Sequence, residues 1–273
     1  MSFNQYTWDL YKQTTIGIEM IKYFSDAGGY VLFKDYCPYA NFIPEDLYND
    51  WLENIYCYGV SDYDHPSSLE EAKDLYISLI TLGIRVEGQQ WLPANDFKNM
   101  LGIIQPMSYV LSQFAPEYFF PYLFLCRIFE LNKIADFFNI DLPNIPKRTD
   151  YKGRCMYYWE LCEVFYLFRK ENGLSPADLW SFLYDFAPNN LPSEKIDMPK
   201  PSQVWFIGGR LYQEDKSLES KFWQSSPETK KGDILVHYET SPISAITCIE
   251  ISLTDGVIDL YSDTTGVSIL GIE

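Results

Sequence analysis

Three prolines within residues 189–202, NNLPSEKIDMPKPS, set the strongest constraint on how this chain folds. Proline brings no backbone donor and fixes its own φ, so neither a helix nor a central strand runs through such a stretch. The residues between the prolines are mostly polar and carry little apolar periodicity. The segment reads as a linker, and it separates two different patterns. Before it, apolar residues recur at helical spacing. After it, they come in short extended runs. The expected fold class is α+β: a mostly helical domain over residues 1–190, a proline-rich linker at 191–202, and a small β-rich domain over 203–273.

Within the first part, residues 4–26 read as one helix capped by Asn4 and stopped by Gly28 and Gly29. Residues 30–33 are strand-like, and a helix follows Pro44. The run SSLEEAKDLYISLITLG has a serine cap at Ser68, acids in its first turn and Gly83 at its stop. Residues 84–92 look extended, and 93–104 look helical. Residues 122–138 are apolar on most sides and are expected to form a central core helix. Prolines in 141–146 break it, and a second core helix spans 155–169. Ser175, Pro176 and Asp178 mark a capping box, and Pro188 closes that helix.

The second part is organised around residues 222–252. Gly232 and Asp233 form a turn, a strand follows over 234–239, Ser241-Pro242 turns the chain, and a second strand spans 245–252. Val236 and Tyr238 alternate with Leu235 and His237. Further strands are expected at 204–207 and 257–261.

The formal net charge is −17, which makes the chain a poor generic phosphate binder. The local basic spots at Lys147, Arg148, Lys152 and Arg154, and at Lys230 and Lys231, read as solvated faces. No apolar run is long enough to span a membrane, and no signal peptide precedes the first helix. The six cysteines (Cys37, Cys57, Cys126, Cys155, Cys162 and Cys248) lie far apart or inside apolar runs. With only two histidines, His65 and His237, a Cys/His zinc site lacks material. The expectation is a reduced cytoplasmic protein with no metal and no cofactor.

No catalytic residue is assigned. A nucleophile needs an adjacent base, and nothing links either histidine to a thiol or hydroxyl. Asp150, Glu160, Asp178 and Asp185 read as capping or solvated acids. Gly208 and Gly209 follow a strand, but neither a dinucleotide fingerprint nor a P-loop surrounds them. They instead allow the backbone to turn or to approach something closely. Trp205, Trp223 and Tyr238 come from different elements of one small domain, where they form either its core or stacking faces for a planar ligand.

The run WFIGG (205–209), a helix-borne Trp223, KKGDILVHYETSP (230–242) and DGVID (255–259) resemble the EVE-like branch of the PUA superfold. The residues carrying the resemblance are Trp223, Pro227, Lys231, Gly232, Asp233 and Tyr238, and it covers about residues 203–260. It implies a small β-barrel that binds modified bases in nucleic acid, often in prokaryotic defence or RNA-modification systems. By that resemblance Trp205, Gly208 and Gly209 form one wall of a base pocket, Trp223 a stacking face, and Tyr238, Ser241 and Pro242 its rim. Few residues remain after DGVID, so the barrel is expected to be partial.

Two functions follow as expectations. In the first, the chain is a non-enzymatic reader of a modified nucleic acid or nucleotide-like ligand, and the helical domain couples to a protein partner. In the second, it is an acidic protein–protein interaction or adaptor module with no nucleic-acid ligand.

Overall fold

Ser68 and Ser175 cap helices in the computed structural model of the protein, as their neighbours predict. Ser68 Oγ accepts from the Glu71 N–H at 3.2 Å, and Ser175 and Asp178 close a reciprocal capping box. The structure describes residues 3–37, 40, 43–86, 89–192, 199–209, 221–224, 226–256, 259–261 and 267–271. For 89–90, 209, 221–224 and 267–271 it describes the backbone path. Two compact units emerge: Met1–Leu191 with Leu260–Ser262, and Pro192–Asp259 with Asp263–Glu273.

The first unit begins with two helices where one was expected, α1 (Gln5–Tyr11) and α2 (Thr15–Asp26). Thr14 caps the second by accepting from Gly17 N–H at 2.9 Å. Residues 30–33, expected as a strand, lie in α3 (Gly29–Tyr36), which buries Leu32 and Phe33 while Val31 stays exposed. Periodicity cannot separate strand from helix in so short an apolar run. Next come α4 (Glu45–Ile55), a π-helical turn at Tyr56–Val60, and α5 (Leu69–Leu82). Strands β1 (Ile84–Val86) and β2 (Gln89–Leu92) form a small antiparallel pair. The helix expected over 93–104 is a short α6 (Phe97–Met100), a 3₁₀ turn, and then α7 (Ile104–Phe114).

The apolar run expected as a core helix over 122–138 is helical only from α8 (Ile128–Phe138). The chain from Phe119 to Phe124 crosses the core without helix, burying Phe119, Phe120, Tyr122, Leu123 and Phe124. Pro116 and Pro121 deny it a regular ladder, and side chains take over the backbone groups. Ser108 Oγ accepts from Tyr122 N–H at 2.8 Å, Tyr158 OH donates to Phe120 O at 2.8 Å, and Leu123 N–H donates to Tyr184 OH at 3.2 Å. A buried backbone needs such partners, and here side-chain hydroxyls of Ser108, Tyr158 and Tyr184 supply them.

Around this segment stands α9 (Tyr151–Glu171), which buries Tyr157, Tyr158, Trp159, Phe165 and both Cys155 and Cys162. Helices α10 (Pro176–Ser181) and α11 (Ala187–Asn190) flank a second π-helical turn, Phe182–Phe186. Leu260 and Tyr261, expected at the end of a strand, belong to this helical unit instead. The Tyr261 ring meets Tyr122 edge-on at 4.8 Å, and the buried Arg154 donates from Nε to Leu260 O at 2.8 Å. Arg154 is thus a core residue and not part of a solvated basic face. The remainder of the strand expected at 257–261 includes 257 and 258, outside the described residues.

The second unit is one five-stranded sheet ordered β3-β5-β6-β7-β4. Its strands are β3 (Val204–Gly209), β4 (Lys221–Gln224), β5 (Ile234–Glu239), β6 (Ala245–Ser252) and β7 (Val267–Gly271). β3 runs parallel to β5, and the other pairings are antiparallel. Trp223 sits on β4, opposite Ser268, and not on a helix. Strand β7 fills part of the tail that looked too short to finish the domain. The β3 and β4 edges are not paired with each other, so the described strands make an open sheet and no closed barrel.

Candidate functional site

The sequence Lys230-Lys231-Gly232-Asp233 builds the turn that sets the sheet. Asp233 is fully buried, and its carboxylate collects five donors. Oδ1 accepts from Ser202 N–H at 3.0 Å, Ser202 Oγ–H at 2.7 Å and Gln203 N–H at 3.0 Å. Oδ2 accepts from Lys230 N–H at 2.9 Å and Trp205 Nε1–H at 3.0 Å. Burial works to raise the pKa of this carboxyl, but the donors outweigh it and hold the group well below the usual carboxylate range. Gly232 has φ +92°, and a Cβ there would lie 2.5 Å from Pro199 O, so only glycine fits the turn. Asp255 accepts from Lys231 N–H at 2.9 Å and from Lys230 Nζ at 3.0 Å. Both lysines are tied into this turn.

Strand register then sorts the side chains onto two faces. Across β3, β5 and β6, three rows share one side: Val204–Ile234–Ile251, Phe206–Val236–Ile249 and Gly208–Tyr238–Ile246. A shift in register between His237 and Tyr238 keeps the third row aligned. The face is open: Phe206 is 74% exposed, Ile246 56%, Ile249 54%, Val204 53% and Tyr238 39%. Val236, in the middle row, is covered by its neighbours to 6%. The opposite face carries Trp205, Leu235, His237, Glu239 and Glu250, the last four of them buried. There His237 Nε2 lies 2.8 Å from Glu250 Oε2.

The residues expected to form a base pocket are therefore divided. Gly208 and Tyr238 face each other across β3 and β5, and the exposed Ser241 and Pro242 follow Tyr238 in the turn after β5. Trp205 is half-buried on the opposite face, held by Asp233. Gly209 pairs with Glu239 through the backbone. The side chain of Trp223 lies outside the described residues. The residues that share an exposed face with Tyr238 and were not singled out are Val204, Phe206, Ile246 and Ile249. The period-two spacing of Val204 and Phe206 is visible in the sequence; Ile246 and Ile249, three apart, share their face only through the register shift, and which face is covered is not visible.

Three of the four acids weighed for chemistry hold structure. Asp150 caps α9 by accepting from Gly153 N–H at 2.8 Å, and Asp178 completes its capping box. Asp185 accepts from Tyr11 OH at 2.6 Å. Glu160 is raised above its ordinary value by burial and by the neighbouring Glu163. Burial pushes the thiols of Cys155 and Cys162 up to about 12, which leaves them protonated and inert. Among the described residues, no group of three or more His, Cys, Asp or Glu side chains is placed to hold a metal. No helix among them is long and apolar enough to cross a membrane. No protein-family model, curated protein or solved structure matches the chain.

Proposed function

We propose that this chain is a non-enzymatic binding protein that docks a protein partner on the exposed face of its C-terminal sheet. One observation carries the reading: β3, β5 and β6 contain no Lys or Arg, and their open face displays Val204, Phe206, Tyr238, Ile246 and Ile249 in adjoining rows. Exposed apolar side chains grouped in this way are typical of a surface that another protein covers. These three strands bring no Lys or Arg to neutralise phosphates. The net charge of −17 selects the partner's rim, which is basic around an apolar centre.

The test is affinity capture with the wild-type chain and with a Phe206→Asp/Ile249→Asp variant, followed by reconstitution with the purified captured protein. Binding that is lost in the double variant, kept in a Glu228→Ala control and weakened by salt supports the reading. Equal binding by the double variant overturns it.

A second reading, recognition of a modified base, is favoured by the position of Gly208. It sits opposite Tyr238 and two residues along β3 from Phe206, leaving a side-chain-free spot next to exposed rings on which a flat heterocycle can stack. Titration with modified and unmodified oligonucleotides at low salt decides this reading. Affinity for the modified strand that vanishes in Tyr238→Ala supports it, and equal, negligible affinity for both strands ends it.

A further inference from the structure

The helical unit contains a cleft of about 410 Å³ between α4 and α7, lined by rings and by a single carboxylate. Helical spacing makes its walls. Leu52, Glu53 and Tyr56 fall on one face of α4 and the turn that follows it, while Tyr109, Val110, Gln113 and Phe114 fall on one face of α7. His65 closes one side, its ring stacked on Phe114 with centroids 4.0 Å apart and planes 17° apart. Two backbone features build the cleft. The α-helix changes to π-helix at Tyr56, a widening often found at functional sites. At Gly29, a Cβ would lie 2.6 Å from Leu52 Cδ1 and 2.7 Å from the Tyr109 ring. Both lining side chains therefore occupy space that only glycine leaves free.

We infer that this cleft binds an organic cation, an alkylated ammonium carrying an apolar body. Three aromatic rings, Tyr56, Tyr109 and Phe114, stand in the lining beside His65, and the face of such a ring attracts a cation. The Glu53 carboxylate is exposed, takes part in no side-chain hydrogen bond or ion pair among the described residues, and is the only acid in the lining. The lining has no Lys or Arg to compete for it. An anion is opposed by Glu53 and by the overall charge of −17, and a neutral apolar ligand leaves Glu53 unused. The cleft is far larger than a bare ammonium fills, which leaves room for an apolar body beside the charge. The volume lies within the range of small-molecule pockets, about 300–1,000 Å³.

Three probes of one shape and different charge test the inference on the full chain: choline, 3,3-dimethylbutan-1-ol and 3,3-dimethylbutanoate, followed by NMR titration. Choline is expected to bind about tenfold more tightly than the alcohol, and the carboxylate more weakly still. Glu53→Gln removes most of the preference for choline over the alcohol. Tyr56→Leu, which keeps the wall apolar, weakens choline and leaves the alcohol little changed. Both positions are exposed, and circular dichroism of each variant verifies its fold. Equal affinity for choline and the alcohol overturns the inference. So does choline binding that neither substitution alters, or no choline binding at about 10 mM, where a millimolar site is mostly filled.

Discussion

Trp205 Nε1 donates to Asp233 Oδ2 at 3.0 Å, which makes the indole a structural arm of the Gly-Asp turn. The same carboxylate holds the start of β3 through Ser202 and Gln203, and the entry to β5 through Lys230. One side chain thereby fixes the parallel pairing that lines up the exposed rows.

Asp233→Ala is expected to destabilise the C-terminal sheet by about 3 kcal/mol, because charge-assisted bonds are lost and buried donors are left without an acceptor. Hydrogen exchange of the amides in Ile234–Glu239 measures it. Protection equal to wild type would show that the turn forms without the carboxylate.

The same group gives the sheet an acid limit. Its carboxyl is held below the usual range in the folded state, whereas in an unfolded chain it titrates near about 3.9. On acidification the unfolded state takes up this proton first, so the stabilisation is complete above about pH 5 and declines below about pH 4. Denaturant midpoints between pH 2 and 6 should show this slope in the wild type and a shallower one in Asp233→Asn.

Phe206→Ser and Ile249→Ser are expected to leave stability within about 0.5 kcal/mol of wild type, since both side chains are exposed. Urea midpoints settle this, and such neutrality is what allows a binding defect at these positions to be read as loss of contact.

Tyr261→Ala is expected to cost about 3–5 kcal/mol, the range for deleting a buried aromatic ring. Although residue 261 comes late in the sequence, the loss should appear in the helical signal, because its ring packs against Tyr122. Thermal melts at 222 nm are the measurement.

Thiol labelling under native conditions should modify Cys57, which is exposed, while Cys155 and Cys162 react only after denaturation. Burial both hides these two and raises them to about 12. Mass spectrometry after a short exposure to a thiol reagent distinguishes the sites.

Features with a local cause were readable in the sequence. The caps at Ser68 and Ser175, the Gly-Asp turn and the strands at Ile234–Glu239 and Ala245–Ser252 each follow from neighbouring residues. Features with a distant cause were not. Residues 122–127 were expected inside a core helix, and the irregular path of the chain there and just before it depends on hydroxyls from Ser108, Tyr158 and Tyr184. Trp223 is a strand residue because its backbone pairs with Ser268 at the far end of the chain. The site suffered most. Alternation predicts that Trp205 and Tyr238 point to opposite faces only when the register of β3 on β5 is known. That register comes from tertiary pairing.

The placement of residues 260–261 bears on how such a protein can be cut and recombined. The polypeptide passes between the two units at 191–192, again at 259–260 and again at 262–263. A gene fusion made at the linker would strand the helical half without Tyr261 and deprive Arg154 of the Leu260 carbonyl. Cutting at the prolines therefore takes Leu260 and Tyr261 out of the helical unit, although the sequence pattern changes there.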